Sequence, residues 1–512
     1  MKIALITANG QENEIGLRTI AACLRGHGHD VFVLYPLARE NHGLGRLTQA
    51  DAELLLPWCA DADLVGVSYM SNFRKNAQVI AETLRKHLRP DAALVAGGIH
   101  PTLWPEDALA HFQYVIRGEG EESMVELAQR IAAGESVRAI ENLAYLEEGK
   151  PVLNPLRPLL QNLDALPIPL LEYGRIVFRR SATELAPLDP ENVREFFWQA
   201  ETPTDGEVAY FYGIHTSRGC PHKCAFCVND ALSHLYPQKK GSATIRRQSV
   251  EKLVSELEWM RGTFPFVQNV LFTDDVFTAR PIEELKRFSE IYRRRVGLRF
   301  NCYLSAPTLT EEKMDALMAA GLQTVSLGIQ SGSDRVNLEV FSRPIPRRQN
   351  DKAIGIIAPH ISRLDKKIPV KVHFIIKNPW ENRRDVLQTV RMICGLPRGV
   401  SIILFSLNFF PGTKILERAL KEGIVRDFES DIENRDGWSD KQLIFDARTG
   451  RPSAAAILPL YAVQYLRSLP KWQRGLAIFI LGNPITYWLL GTWRFSSRIR
   501  RAVEIWAGSR NA

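Results

Sequence analysis

Cysteine is scarce in this chain of 512 residues: there are seven, at positions 23, 59, 220, 224, 227, 302 and 394. An odd, sparse set in a chain of this length excludes a disulfide scaffold. Internal repeats and low-complexity stretches are absent, which excludes solenoid, collagen-like and disordered architectures. The dinucleotide spacing Gly-x-Gly-x-x-Gly is missing after the first predicted strand, and with it the usual Rossmann fingerprint. A second Cys or Cys/His pair at zinc-ribbon spacing is missing too. No signal segment precedes the first strand, so the expected location is the reducing cytoplasm. Neither sign of charge dominates, because 65 basic residues face 57 acidic ones. That mild excess suits anionic cofactors, a membrane surface or nucleic acid without choosing among them.

What is present is a long α/β pattern. Short apolar runs at 2–7, 30–35, 64–69, 93–98 and 114–118 alternate with amphipathic stretches such as 16–27. Five strands with intervening helices over 1–145 predict a doubly wound parallel sheet. Ligands of such sheets bind beyond the carboxyl ends of the strands, where 68–72, 97–102 and 118–121 fall. Residues 146–206 carry eight prolines between 151 and 203 and no sustained periodicity, which predicts an ordered linker. Six further strand and helix units over 207–425, with strands near 209–214, 267–273, 299–304, 324–329, 370–376 and 402–409, predict a partial (β/α)6 barrel. Residues 426–512 are predicted to be helical. Their segment 475–493 lacks any charged residue, has Gly482-Asn483-Pro484 at its centre and is flanked by Arg474 and Arg494. Proline breaks a clean span, so interfacial helices at the inner face of a membrane or a buried hairpin are the two readings.

The densest chemistry lies in Ser217-Arg218-Gly219-Cys220-Pro221-His222-Lys223-Cys224-Ala225-Phe226-Cys227. Three thiolates spaced Cys-x3-Cys-x2-Cys on one loop can each hold an iron of a cubane cluster, which leaves the fourth iron open to a substrate or cofactor. Phe226 can shield the cluster or stack on a flat cofactor. The alternative is a zinc site with His222 as fourth ligand, in a basic, nucleic-acid-binding protein. No recognised nucleic-acid module supports that reading.

The cysteine loop, with an aromatic before its last cysteine, resembles the signature of the radical S-adenosylmethionine superfamily. The resemblance extends along the barrel. Asp274 and Asp275, in Leu271-Phe272-Thr273-Asp274-Asp275, resemble the second-strand segment where a carboxylate meets the cofactor's amino group. Gln330 and Ser331 resemble the fourth-strand segment near the ribose, with Gln where many relatives have Glu. Phe410-Pro411-Gly412-Thr413 fits the pattern, whereas 373–380 departs from the Gly-x-Pro-Gly of relatives. Upstream, Gly97-Gly98-Ile99-His100-Pro101-Thr102 and Arg117-Gly118-Glu119-Gly120-Glu121 resemble the cobalamin-binding domain of the cobalamin-dependent branch. Ser68, Gly97, Gly98, His100, Thr102, Gly118 and Glu119 are thereby implied as cobalamin contacts. The Asp-x-His-x-x-Gly motif that supplies a histidine to cobalt elsewhere is absent, so the cobalt ligand stays open: His100 is either that ligand or a hydrogen-bonding residue of its glycine turn.

The resemblance implies three cofactors: a 4Fe-4S cluster, S-adenosyl-L-methionine and cobalamin. It implies a 5′-deoxyadenosyl radical that modifies an unactivated carbon, by methyl transfer to a small-molecule or lipid-like substrate or by a cyclisation or rearrangement. It also implies a flavodoxin or ferredoxin as electron donor, and no nucleic-acid partner.

Overall fold

The computed structural model describes residues 1–9, 14–37, 45–201, 208–236, 245–364, 369–426 and 472–473. The predicted interfacial segment 475–493 lies outside the described residues. Among those described, no helix is long and apolar enough to cross a membrane.

The first sheet is built on β1 (Lys2–Thr7), β2 (Asp30–Tyr35), β3 (Leu64–Ser68), β4 (Ala93–Gly97), β5 (Tyr114–Ile116), β6 (Leu143–Glu147), β7 (Lys150–Leu153), β8 (Ile176–Ser181) and β9 (Glu184–Pro187). Their order is β7-β6-β5-β4-β3-β1-β2-β8-β9. The five predicted strands form its parallel centre, with Ile3 opposite both Val31 and Leu64. Strand alternation explains why both faces carry helices. Ile3 and Leu5 pack with Leu17, Leu24 and Leu127 on one face. Ala4 and Ile6 pack with Ala77, Ile80 and Leu84 on the other.

Part of the predicted linker proves to belong to this sheet. β8 adds in parallel to β2, with Val33 opposite Ile176, and β9 returns antiparallel to it. Prolines disguise these strands because they sit where a sheet tolerates them: Pro151 lies on β7 and Pro187 on β9, the two edge strands, whose outer amides need no ladder partner.

The second sheet comprises β10 (Trp198–Glu201), β11 (Val208–Ile214), then, beyond the small pair β12 (Ser217–Arg218) and β13 (Arg246–Arg247), β14 (Asn269–Phe272), β15 (Arg299–Leu304), β16 (Leu322–Gln330), β17 (Val370–Ile376) and β18 (Val400–Ser406). The order β10-β11-β14-β15-β16-β17-β18 is linear, so the barrel is open. β11 and β14 to β18 are parallel and β10 caps the edge antiparallel. Helices Val250–Thr263, Ile282–Arg295, Glu311–Ala320, Arg347–Ile357 and Arg383–Gly395 follow these strands. Ser249 and the Asn382–Asp385 capping box start the first and last of them, supplying acceptors to amides that a helix start leaves unpaired. Phe272, Phe277, Phe288 and Phe300 form an aromatic cluster. One apolar cluster runs from Ile3 and Leu17 of the first sheet to Tyr212 and Phe272 of the barrel, so the two domains share a core.

Candidate functional site

The carboxyl ends of β3, β4 and β5 face the cysteine loop across a cavity of about 1400 Å³. Ser68, Gly98 and Gly118 line it from one side; Cys220, His222 and Asp275 line it from the other. Two motifs more than 100 residues apart in sequence therefore open onto one space.

On the first-domain side, two glycine turns pack tightly against the protein itself, while Gly97 beside them leaves open space. Gly98 has φ +99°, and a Cβ there would sit 2.8 Å from the Tyr69 carbonyl oxygen. Gly118 has φ +75°, and its Cβ would overlap the Tyr236 hydroxyl at 2.0 Å. Both positions need glycine sterically and conformationally. Thr102 ties the two turns together, donating to Gly98 O (2.7 Å) and accepting from Gly118 N–H (2.9 Å). Ser68 and Gly97 also border the cavity.

His100 does not. Its ring is fully buried, with Nδ1 3.0 Å from Ser71 Oγ and Nε2 3.1 Å from Asp107 Oδ2. Arg74 donates to both Asp107 oxygens, at 2.7 and 2.6 Å. Although burial raises the Asp107 carboxyl, His100 and Arg74 hold it down at about 2. Both histidine nitrogens are thus engaged behind the loop, and the expected contact with cobalamin is replaced by an internal one.

Glu119 departs from expectation differently. It borders the cavity, yet Oε1 accepts from Arg218 and Arg246 (both 2.8 Å), and Oε2 accepts from Arg246 (3.0 Å) and from the Leu160 amide (2.9 Å). Its carboxylate thereby ties the glycine turn to the barrel.

The cysteine loop is anchored at several points. Ala225 N–H donates to Phe341 O (2.7 Å) and Ala225 O accepts from Ile415 N–H (3.0 Å). Phe226 packs edge-on against Phe341, with centroids 5.0 Å apart. Burial pushes the Cys220 and Cys224 thiols up to about 12 and the Cys227 thiol to about 11. As bare thiols they keep their protons, and iron would have to displace them. Arg343, which the sequence does not single out, is 4% exposed, donates to Gly328 O (2.6 Å) and lies beside Cys220 and Cys224. A buried cation at this position complements the negative charge of a thiolate-bound cluster. Among the described residues no three His, Cys, Asp or Glu side chains gather around a single ion position, whereas a cubane spreads its thiolates over different irons. His222 is engaged with Ser305 (2.6 Å) and held neutral, its pKa lowered to about 4 by burial and by Arg343.

The two adjacent carboxylates have opposite fates. Asp274 is fully buried and accepts from Thr216 N–H (2.7 Å), Thr216 Oγ1 (2.5 Å) and Ser217 N–H (2.5 Å). It therefore braces the strand leading into the cysteine loop and presents nothing to a cofactor. Asp275 faces the cavity. Surrounding protein raises its carboxyl, with His215 and Asn229 opposing the rise. Ser331 is likewise buried, 3.2 Å from Thr389 Oγ1 and accepting from Ser333 N–H. Of the predicted ribose contacts only Gln330, at the bulged end of β16 with φ +70°, stays partly open. Neither it nor Cys224 and Cys227 borders the cavity, which opens onto the loop at Cys220.

A doubly wound sheet with a glycine cradle, facing an open barrel that carries a three-thiol loop, defines an enzyme that brings a bulky cofactor up to an iron-sulfur centre. Comparison with known proteins agrees. The B12 binding domain model matches residues 1–128, and the Radical SAM superfamily model matches residues 214–393. An uncharacterised methyltransferase of Pyrococcus horikoshii is 27% identical over 417 residues, covering 80% of this chain and 79% of that protein. Cytidylyl-2-hydroxyethylphosphonate methyltransferase of Streptomyces wedmorensis is 23% identical, covering 81% and 79%. The fold matches that of the radical S-adenosylmethionine methyltransferase TsrM of Kitasatospora setae, solved with tryptophan and an S-adenosylmethionine analogue, with a TM-score of 0.61 at 19% identity over 82% of this chain and 76% of that one. The chain belongs to the radical S-adenosylmethionine enzymes that carry a cobalamin-binding domain. Its cofactors are a 4Fe-4S cluster, S-adenosyl-L-methionine and cobalamin.

Proposed function

We propose that this enzyme transfers a methyl group to an unactivated carbon of a small molecule. The observation that carries this reading is the single cavity onto which Gly97, Gly98 and Gly118 open from one side and Cys220 and Asp275 from the other. When bound, the cofactors supply reductive cleavage of S-adenosylmethionine and methyl delivery through cobalamin. The chain's own residues position them. Cys220, Cys224 and Cys227 hold three irons; Asp275 offers a carboxylate to the cationic amino group of S-adenosylmethionine, and Gln330 an acceptor to a ribose hydroxyl. Gly97, where a Cβ would meet open space, lets the corrin approach the backbone; Gly98 and Gly118 form the turns around it, Thr102 ties those turns together, and Ser68 borders it with a hydroxyl.

The relatives' names support methyl transfer, including a hopanoid C-3 methylase of Methylococcus capsulatus that is 24% identical over 81% of this chain. That lipid-modifying relative favours an apolar substrate, and with it peripheral contact of the carboxyl-terminal region with a membrane. A flavodoxin or ferredoxin is the fitting electron donor. A second reading, cyclisation, rests on a 24% identical anaerobic magnesium-protoporphyrin IX monomethyl ester cyclase of Synechocystis that matches 49% of this chain. Anaerobic turnover of protein loaded with iron, sulfide and cobalamin separates the two. Methyl transfer requires both S-adenosylhomocysteine and 5′-deoxyadenosine; 5′-deoxyadenosine alone would leave the cyclase reading.

A further inference from the structure

The clearest link between the two cofactor regions is an ion cluster. Arg218 and Arg246 are paired across β12 and β13, and Arg218 stands two residues before Cys220. Two guanidinium groups on adjacent strands repel unless carboxylates lie between them. Both carboxylates come from the other domain. Glu119 bridges the two arginines through three of the contacts described above, one to Arg218 and two to Arg246, and Glu121, in the first turn of helix Glu121–Ala133, takes the other nitrogen of Arg218. The cluster is largely sheltered, with Arg246 8% exposed and Glu121 7%. Against the rise that burial alone would cause, Arg246 and Arg218 hold the Glu119 carboxyl below the ordinary glutamate value. Charge-assisted, forked contacts in such a setting fix direction as well as distance. Glu119 also lies between Gly118 and Gly120, in the turn that borders the cavity. One carboxylate is thus attached through its backbone to the cobalamin cradle and through its side chain to the start of the cysteine loop.

We infer that Glu119 is a positioning residue that, through Arg218 and Arg246, sets the distance between the cysteine loop and the cobalamin cradle and thereby couples S-adenosylmethionine on the loop to cobalamin. This rests on the methyl-transfer reading. Formation of 5′-deoxyadenosine needs the cluster, S-adenosylmethionine, one electron from the added low-potential donor and a hydrogen atom taken by the radical from substrate or buffer, but no cobalamin, whereas formation of S-adenosylhomocysteine needs methyl transfer from S-adenosylmethionine, its sulfur keeping the bonding electron pair, to cobalamin reduced by the same donor, such as titanium(III) citrate. Only the second product depends on the distance across the cavity.

The test replaces Glu119 by Gln, which keeps the volume and removes the charge between two arginines, and compares both products in fully reconstituted protein. A misplacement near 1 Å costs roughly a hundredfold. S-adenosylhomocysteine formation should fall by that order while 5′-deoxyadenosine formation stays within about twofold, with iron and cobalamin content unchanged. Glu119→Asp should recover part of the loss. Should Glu119→Gln fail to fold, Glu121→Gln removes one arm of the cluster and should give the same imbalance to a smaller degree. A second readout needs no cofactor: the wild-type apoprotein should unfold in one thermal transition and the Glu119→Gln apoprotein in two. Equal loss of both products, or an unchanged product ratio with one transition, overturns the inference. If the wild type forms 5′-deoxyadenosine without S-adenosylhomocysteine, the methyl-transfer reading fails instead, and the apoprotein transitions alone decide whether Glu119 couples the domains.

Discussion

The Asp274 carboxylate accepts both the Thr216 amide (2.7 Å) and the Thr216 hydroxyl (2.5 Å), so the second strand of the barrel grips the chain four residues before Cys220. Its neighbour Asp275 points into the cavity instead. The two acids therefore separate stability from ligand binding. Asp274→Asn, which leaves buried donors poorly matched, should lower stability by about 1–3 kcal/mol and reduce iron retention. Asp275→Asn should leave the melting temperature unchanged and raise the KM for S-adenosylmethionine roughly ten- to hundredfold, the loss of one charge-assisted contact. Thermal unfolding, iron analysis and initial rates check both; a stability loss in Asp275→Asn as large as in Asp274→Asn would contradict the assignment.

Gly97 and Gly98 make a second contrast. A Cβ at Gly97 meets nothing within 4 Å, so Gly97→Ala should fold normally and lose cobalamin affinity through intrusion on the cavity. Gly98→Ala must adopt a backbone region reserved for glycine and clashes with Tyr69, which should cost about 1–3 kcal/mol before any ligand is considered. Cobalamin retained after gel filtration, together with the melting temperature, distinguishes the two effects.

Arg343 should tune the cluster. Reduction adds negative charge beside Cys220 and Cys224, and the buried guanidinium stabilises that state. Arg343→Met should move the midpoint potential to a more negative value and leave less of the cluster reduced at a given donor potential, while Arg343→Lys should recover part of the shift. Potentiometric titration of the reduced cluster measures it, and an unchanged potential in Arg343→Met would dismiss this role.

His373, on the inner face of β17, is held neutral by burial and by the charge of Lys371, with its pKa lowered from 6.5 to about 4. Between those values the unfolded chain binds a proton that the folded chain refuses, so stability rises with pH through the window. The stabilising contribution is complete above 6.5 and is lost as pH falls towards 4. His373→Phe should flatten the acid side of a stability profile recorded by denaturant unfolding; a slope identical to the wild type would contradict it.

How much of this was legible beforehand follows from the range over which each signal acts. The three thiols are read from local spacing alone, since ligands on one loop need no distant partner. The alternation of apolar runs likewise reports the five central strands of the first sheet and the six parallel strands of the barrel, because burial of a strand is written in consecutive residues. The strands at 176–181 and 184–187 were hidden because the first ends in the charged pair Arg179-Arg180 and the second carries Pro187, which its edge position tolerates, so neither shows a sustained apolar period. Asp274 and Asp275, adjacent in sequence and opposite in role, were indistinguishable until the backbone of Thr216 reached one of them.

Glu119 shows the limit most plainly. The glycine turn that contains it marks a ligand site, and from the sequence its carboxylate belongs to that site. Its partners Arg218 and Arg246 arrive from 99 and 127 residues away, brought there by the shared core of two sheets. By itself the sequence determined the chemistry, three thiols and a glycine cradle, because bonding capacity resides in residue types and short spacings. Only the tertiary structure decided which acids border the cavity alone and which hold the domains together, because a side chain's direction depends on the charges that folding packs against it.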